Sequence, residues 1–334
     1  MKKILFISLL ILSCNIYAQR RIALQHNGNT SIYGGTNPLT DAYNDAQNGD
    51  TIYVTGGLFS IPTIQKKICL IGTGYFNDSL TATGRSQING INIGPGASGT
   101  VITGVYISGN LYVDGHAKID SLFIFRNQIT GDFGYPGGNV DKADSLKSKD
   151  VVFAENRVNS IGCENVNNIK VFNNIAKGII GAKNGWIRNN VLLGVWYGCI
   201  HSSCKESLFE NNFLITGWYY AIYNNTFINN VFSNDPTTDL NNTFVSNYPN
   251  QNINTVFVNY IDANPHNYLN NFHLQNPSSY PANNATEIGI YGGFYPFKEG
   301  SLPTNPHISS KNIATQTNSN GDLSIQIEVS AQNN

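Results

Sequence analysis

Val171-Phe172-Asn173-Asn174-Ile175 is followed, sixteen residues on, by Ile187-Arg188-Asn189-Asn190-Val191. The same phrase, an apolar residue, a variable one, Asn, usually a second polar residue and then an apolar one, occurs six times between residues 122 and 231. The other copies are Phe125-Arg126-Asn127-Gln128-Ile129, Ala154-Glu155-Asn156-Arg157-Val158, Phe209-Glu210-Asn211-Asn212-Phe213 and Phe227-Ile228-Asn229-Asn230-Val231. Their period lies in the high teens to low twenties, with one longer gap. A chain with such a period stacks like units in one dimension instead of closing around a single centre.

Each unit is too short to hold the helix that a parallel crossover in an open sheet requires, so it reads as a coil of short strands joined by turns. An Asn at every corner tolerates a left-handed backbone and passes amide hydrogen bonds up the stack. The expected ladder is therefore Asn127, Asn156, Asn173, Asn189, Asn211 and Asn229, in a structural role. The position before each Asn reads Arg126, Glu155, Phe172, Arg188, Glu210 and Ile228, which sets opposite charges on neighbouring rungs twice. As outward-facing pairs these contribute roughly 0.2 to 1 kcal/mol each.

The 334 residues are 41% hydrophobic and 12% charged with a formal net charge of -1, enough for a large core and without the basic excess of a nucleic-acid binder. Met1-Lys2-Lys3, an apolar run from Ile4 to Leu12 and a small residue at Ala18 read as a secretory signal spanning residues 1–18, with no transmembrane segment in the mature chain. The expected location is secreted, at the cell surface or in the periplasm. The competing reading takes Leu12-Ser13-Cys14 as a lipobox-like site, with a lipid-bearing Cys14 at an outer membrane. Cys69, Cys163, Cys199 and Cys204 remain after the signal; their spacing is poor for zinc, buried free thiols are favoured, and Cys199 with Cys204 is the alternative disulfide pair.

Residues 37 to 48 predict a capping helix, with Pro38 in its first turn, Leu39, Ala42, Tyr43 and Ala46 on one face and Asn37 as the cap. The coils are expected to run to residue 302, closing through Asn254–Asn259, Phe272-His273-Leu274 and Ile288–Gly293. Residues 303–334, opened by Pro303 and Pro306, form a strand-containing tail. Between Ile129 and Val151 the chain is longer than a rung needs, and such loops carry grafted function.

Leu39 to Phe59 resembles the opening segment of secreted right-handed parallel β-helix proteins of the pectate-lyase-like superfamily. The Asn repeats resemble their coils, and Phe272-His273-Leu274 through Glu287–Gly292 resembles their closing segment. The resemblance implies an all-β, single-stranded right-handed parallel β-helix with an N-terminal capping helix. It leaves activity open, because this fold hosts lyases, hydrolases and passive surface proteins.

Lyases of this kind use Ca²⁺ held by clustered acids with an Arg or Lys base, and hydrolases use neighbouring carboxylates. The sequence shows neither pattern; a lyase set would draw on Glu164, Lys170, Lys183, Arg188, His201 and Lys205. No cofactor is expected, with Ca²⁺ only for a lyase. The alternative surface is aromatic: alignment of two repeats sets Trp196 over Tyr219 and Tyr197 over Tyr220, with Trp218 beside them, a platform for a sugar ring. The reading that follows is a non-catalytic glycan-binding or surface interaction scaffold with a polysaccharide or cell-surface glycan as partner, and a polysaccharide lyase as the alternative.

Overall fold

The computed structural model describes residues 20–76, 84–134, 148–194, 199–201, 203–215, 222–236, 241–282, 287–299 and 306–331. Ten short strands from Asp50–Val54 to Thr243–Val245 pair side by side, all parallel, in one twelve-stranded sheet. A second sheet, from Gly57–Phe59 to Val231–Phe232, climbs with it. Each strand pairs with the equivalent strand of the next coil: Lys170–Phe172 with Trp186–Arg188, then Leu208–Glu210, then Thr226–Ile228. The chain is thus a parallel β-solenoid, as the repeat predicts.

Alternation within these three-residue strands decides what fills the tube. The central residues Ile124, Phe153, Val171, Ile187, Phe209 and Phe227 point inward and share one core with Val158, Ala176, Leu192, Leu214 and Phe232 of the second sheet. Phe209, Phe227 and Phe244 stack on successive rungs at 4.8 and 4.9 Å between ring centroids. Fully burying one such ring contributes about 1.5–3 kcal/mol.

Between the two sheets the chain turns through a left-handed residue in coil after coil: Arg126, Glu155, Asn173, Asn189, Asn211 and Asn229, with φ between 54 and 58°. The hydrogen-bonded ladder lies one residue further on. Asn127, Asn156, Asn174, Asn190, Asn212 and Asn230 are buried, and each backbone N–H from Asn127 to Asn230 donates to the Oδ1 of the next, ending on Asn247, at 2.8–2.9 Å. Each Nδ2 donates to that same oxygen and to a strand carbonyl, as Asn190 does to Asn212 and Val171. A carboxylate could not donate, which is why the column is asparagine. The expected ladder therefore carries the backbone column at Asn127 and Asn156 and is displaced from it by one at Asn173, Asn189, Asn211 and Asn229, which hold the left-handed corner, where Asn229 Nδ2 still donates to Asn211 Oδ1 at 3.0 Å.

The anticipated charge column is likewise two columns. Arg126 and Glu155 occupy the corner and pair at 3.0 Å while almost wholly buried, not facing outward; Arg188 and Glu210 end strands and pair at 2.7 Å. Burial pushes the Glu155 carboxyl above its ordinary value, against the opposing pull of Arg126 and Lys298.

At the N-terminal end, helix Pro38–Asp45 buries Leu39, Ala42 and Tyr43 on the first coil. Asn37 makes no side-chain capping bond; the other end is held by Lys66, whose Nζ donates to the carbonyls of Ala46 and Tyr43 at 2.7 and 2.9 Å. An unanticipated hairpin, Ile22–His26 with Asn29–Tyr33, adds antiparallel to Asp50–Val54. No helix among the described residues is long and apolar enough to cross a membrane. Residues 253–282 and 287–299 do not continue the coils. They lie over the outside of the second sheet, as described below. The tail strand Ile325–Ser330 pairs with His307–Ile313 in a separate, solvent-exposed hairpin.

Candidate functional site

The second sheet turns one residue per coil outward beside the ladder: Gln128, Arg157, Ile175, Val191, Phe213 and Val231. The last four are apolar and buried, in a second core with Ile253, Val256, Phe257, Phe272, Leu274, Ile288, Ile290 and Phe297. The C-terminal segment is a strap that seals this face. Where the column becomes polar, Arg157 donates to the Pro265 carbonyl at 2.9 Å and its guanidinium lies against the rings of Tyr268 and Phe297.

The corner asparagines fasten the strap. Asn189 Nδ2 donates to the carbonyls of Glu287 and Gly289, Asn173 Nδ2 to those of Ile290 and Gly292, and Asn229 Nδ2 to that of Pro281. The strap therefore runs lengthwise along the corner, with Tyr295 stacked on Phe172 further on. Glycine is required where it crosses Asn189: Gly293 has φ +75°, and a Cβ there would stand 2.7 Å from Asn189 Oδ1.

Among the described residues the outer face of the first sheet is less fully covered, the strap meeting it at Phe123 and Phe172 through Tyr295. Its outward residues include Phe123, Phe125, Val152, Lys170, Trp186, Leu208 and Ile228, all at least partly exposed. Trp186 is 49% exposed and lies under the Arg188 guanidinium, 4.9 Å from ring centroid to carbon. Where this face meets the strap, Phe172, Asn173, Arg188, Asn189, Glu210, Asn211, Gly293 and Phe294 surround a cleft of about 110 Å³. Phe294 stands at its rim, 77% exposed. An exposed aromatic beside a fixed Arg–Glu pair offers one apolar face and one hydrogen-bonding edge, which suits a ring bearing hydroxyls.

The residues named for a lyase set are not gathered here. Among the described side chains of that set Arg188 alone lines the cleft, and the His201 side chain lies outside the described residues. Lys183 and Lys205 stack on one another in a different column, between Asn167 and Tyr223. Lys170 begins its strand, paired with Trp186, and Glu164 lies close to Gly181. Among the described residues no three His, Cys, Asp or Glu groups are placed to hold a metal ion. Cys69, Cys163, Cys199 and Cys204 are thiols and not disulfides; burial pushes those of Cys199 and Cys204 up to about 12.

The aromatic platform of Trp196, Tyr197, Trp218, Tyr219 and Tyr220 lies outside the described residues, as do the signal segment with Cys14 and most of the long loop after Phe133. The sequence reading passed over Trp186 and Phe294. Trp186 was legible, since Trp186-Ile187-Arg188 has one apolar residue that must point inward, and so turns its neighbours out. Phe294 carried no local signal, because its place depends on a strap that crosses more than a hundred residues of sequence. Searches of protein families, curated proteins and solved structures find no match to this chain.

Proposed function

We propose that the chain is an exported right-handed β-helix of the pectate-lyase-like kind and that it binds a glycan without transforming it. The observation that carries this reading is the outer face of the first sheet, where the Arg188–Glu210 pair and Phe294 line one cleft and Trp186 lies exposed beside it, under the Arg188 guanidinium. Two carboxylates near that corner, Glu155 and Glu210, are tied to arginines at 3.0 and 2.7 Å, an arrangement suited to holding a surface in shape more than to moving protons. The start of the chain, from Met1-Lys2-Lys3 to Ala18, supports export to the cell surface, the periplasm or the medium.

A panel of neutral and uronate-containing polysaccharides, scored for binding and for unsaturated products in the ultraviolet, tests the reading. Binding without new products is expected. Unsaturated products would instead establish a lyase, and no binding to any member would reject the glycan reading. Trp196→Ala on the same panel tests the second aromatic columns as a further contact for the same ligand.

A further inference from the structure

Resting on that glycan-binding reading, we infer that the cleft accepts an uncharged sugar ring and discriminates against uronate units. Among the described residues, the ionisable groups that line it are Arg188 and Glu210, joined Nε to Oε2 at 2.7 Å with side chains 26% and 15% exposed. Their charges cancel at the cleft wall. A uronate carboxylate would compete with Glu210 for the guanidinium and sit beside a like charge in a partly desolvated corner, where repulsion exceeds that in open water.

Hydroxyls meet no such obstacle. A vicinal diol can donate to the Glu210 carboxylate while accepting from the remaining N–H groups of Arg188. Of the amides in the wall, Asn173 and Asn189 each give both Nδ2 hydrogens to strap carbonyls, and Asn211 Oδ1 accepts from Asn229 Nδ2. Phe172 and Phe294 supply the apolar lining against which the C–H face of a ring packs. At about 110 Å³ the cleft has room for one ring, so the unit held is a chain end or a branch, with the rest of the glycan lying toward Trp186.

The charge balance gives a test by gain as well as by loss. Glu210→Gln is nearly isosteric and leaves Arg188 without its carboxylate, which makes the cleft net positive. Wild type, Glu210→Gln and Phe294→Ala are titrated with xylo-, manno- and galacto-oligosaccharides and with an oligogalacturonate of equal length, after thermal unfolding has confirmed that each variant is folded. The expected result is that wild type binds one neutral probe at least about tenfold more tightly than the oligogalacturonate. Glu210→Gln should shift that ratio toward the uronate by about tenfold or more, with the new binding weakened by added salt. Phe294→Ala should weaken the neutral probe by about tenfold or more. A wild-type preference for oligogalacturonate, or neutral binding unmoved by both substitutions, overturns the assignment while leaving the glycan reading in place. Absence of binding to every sugar overturns both.

Discussion

On the outer face of the second sheet, Ile175, Val191, Phe213 and Val231 are sealed under the chain's own C-terminal segment; on the outer face of the first, Trp186, Leu208 and Ile228 of the same coils stay partly open. The two faces are built by the same alternation and carry similar side chains, so composition does not distinguish them. What differs is the occupant. A strap fastened through Asn173, Asn189 and Asn229 completes one face within the molecule, and among the described residues it reaches the other only in part, through Tyr295 on Phe123 and Phe172. An apolar face with an internal partner is core, and one without is surface kept for something else.

The largest effect should come from damage to the covered face. Phe213 is fully buried between the second sheet and the strap, with its ring 4.6 Å from that of Phe257. Phe213→Ala is expected to cost about 3–5 kcal/mol in denaturant unfolding. A cost under about 1 kcal/mol would mean that the strap rests loosely and that the contrast between the faces is false.

The ladder, common to both faces, comes next. Asn190→Ala leaves the Asn174 N–H groups and the Val171 and Arg188 carbonyls without their partner, which should lower stability by about 1–3 kcal/mol. Asn189→Gly separates the strap from the stack. Glycine keeps the left-handed corner at φ 56° and deletes only the two bonds to Glu287 and Gly289, so the loss should be about 1 kcal/mol, with faster proteolytic cleavage of the strap. Equal losses in Asn189→Gly and Asn190→Ala, without faster cleavage, would place both residues in one ladder after all.

The one-residue displacement of that ladder shows why the coils were legible and the strap was not. In Asn127-Gln128-Ile129 and Asn156-Arg157-Val158 the apolar residue that follows is the inward one, two places after Asn. In Asn173-Asn174-Ile175 and its three successors an apolar residue follows one place after the second Asn, and it points outward into the strap. Aligning the first apolar residue of every copy therefore slips four copies by one position. The slip marks a change in how the outward column meets the strap: Gln128 and Arg157 meet it through hydrogen bonds to Tyr268 and Pro265, and Ile175, Val191, Phe213 and Val231 through apolar packing. Local pattern carried the solenoid and the capping helix, because neighbouring rungs repeat one another. The cleft needed Gly293 and Phe294 brought back against Arg188, and no period in the sequence joins residues so far apart.

The smallest effect on stability should come from the open face, and its smallness is the sharpest statement of the comparison. Trp186 is a larger side chain than Phe213, yet it is half exposed and its described ring partner is the Arg188 guanidinium. A partly exposed cation–π contact contributes about 0.5–1 kcal/mol, and the area already in water contributes nothing to folding. Trp186→Ala should therefore unfold within about 1 kcal/mol of wild type, a fraction of the loss from Phe213→Ala. Binding should show the reverse order, since truncating an aromatic that anchors a sugar ring costs about 2 kcal/mol or more, above tenfold in affinity. Phe213→Ala, measured where it is still folded, should bind the glycan nearly as wild type does. If Trp186→Ala destabilises the fold as much as Phe213→Ala, the first face is covered in the folded molecule. If it alters neither stability nor binding, that face is open but serves no ligand.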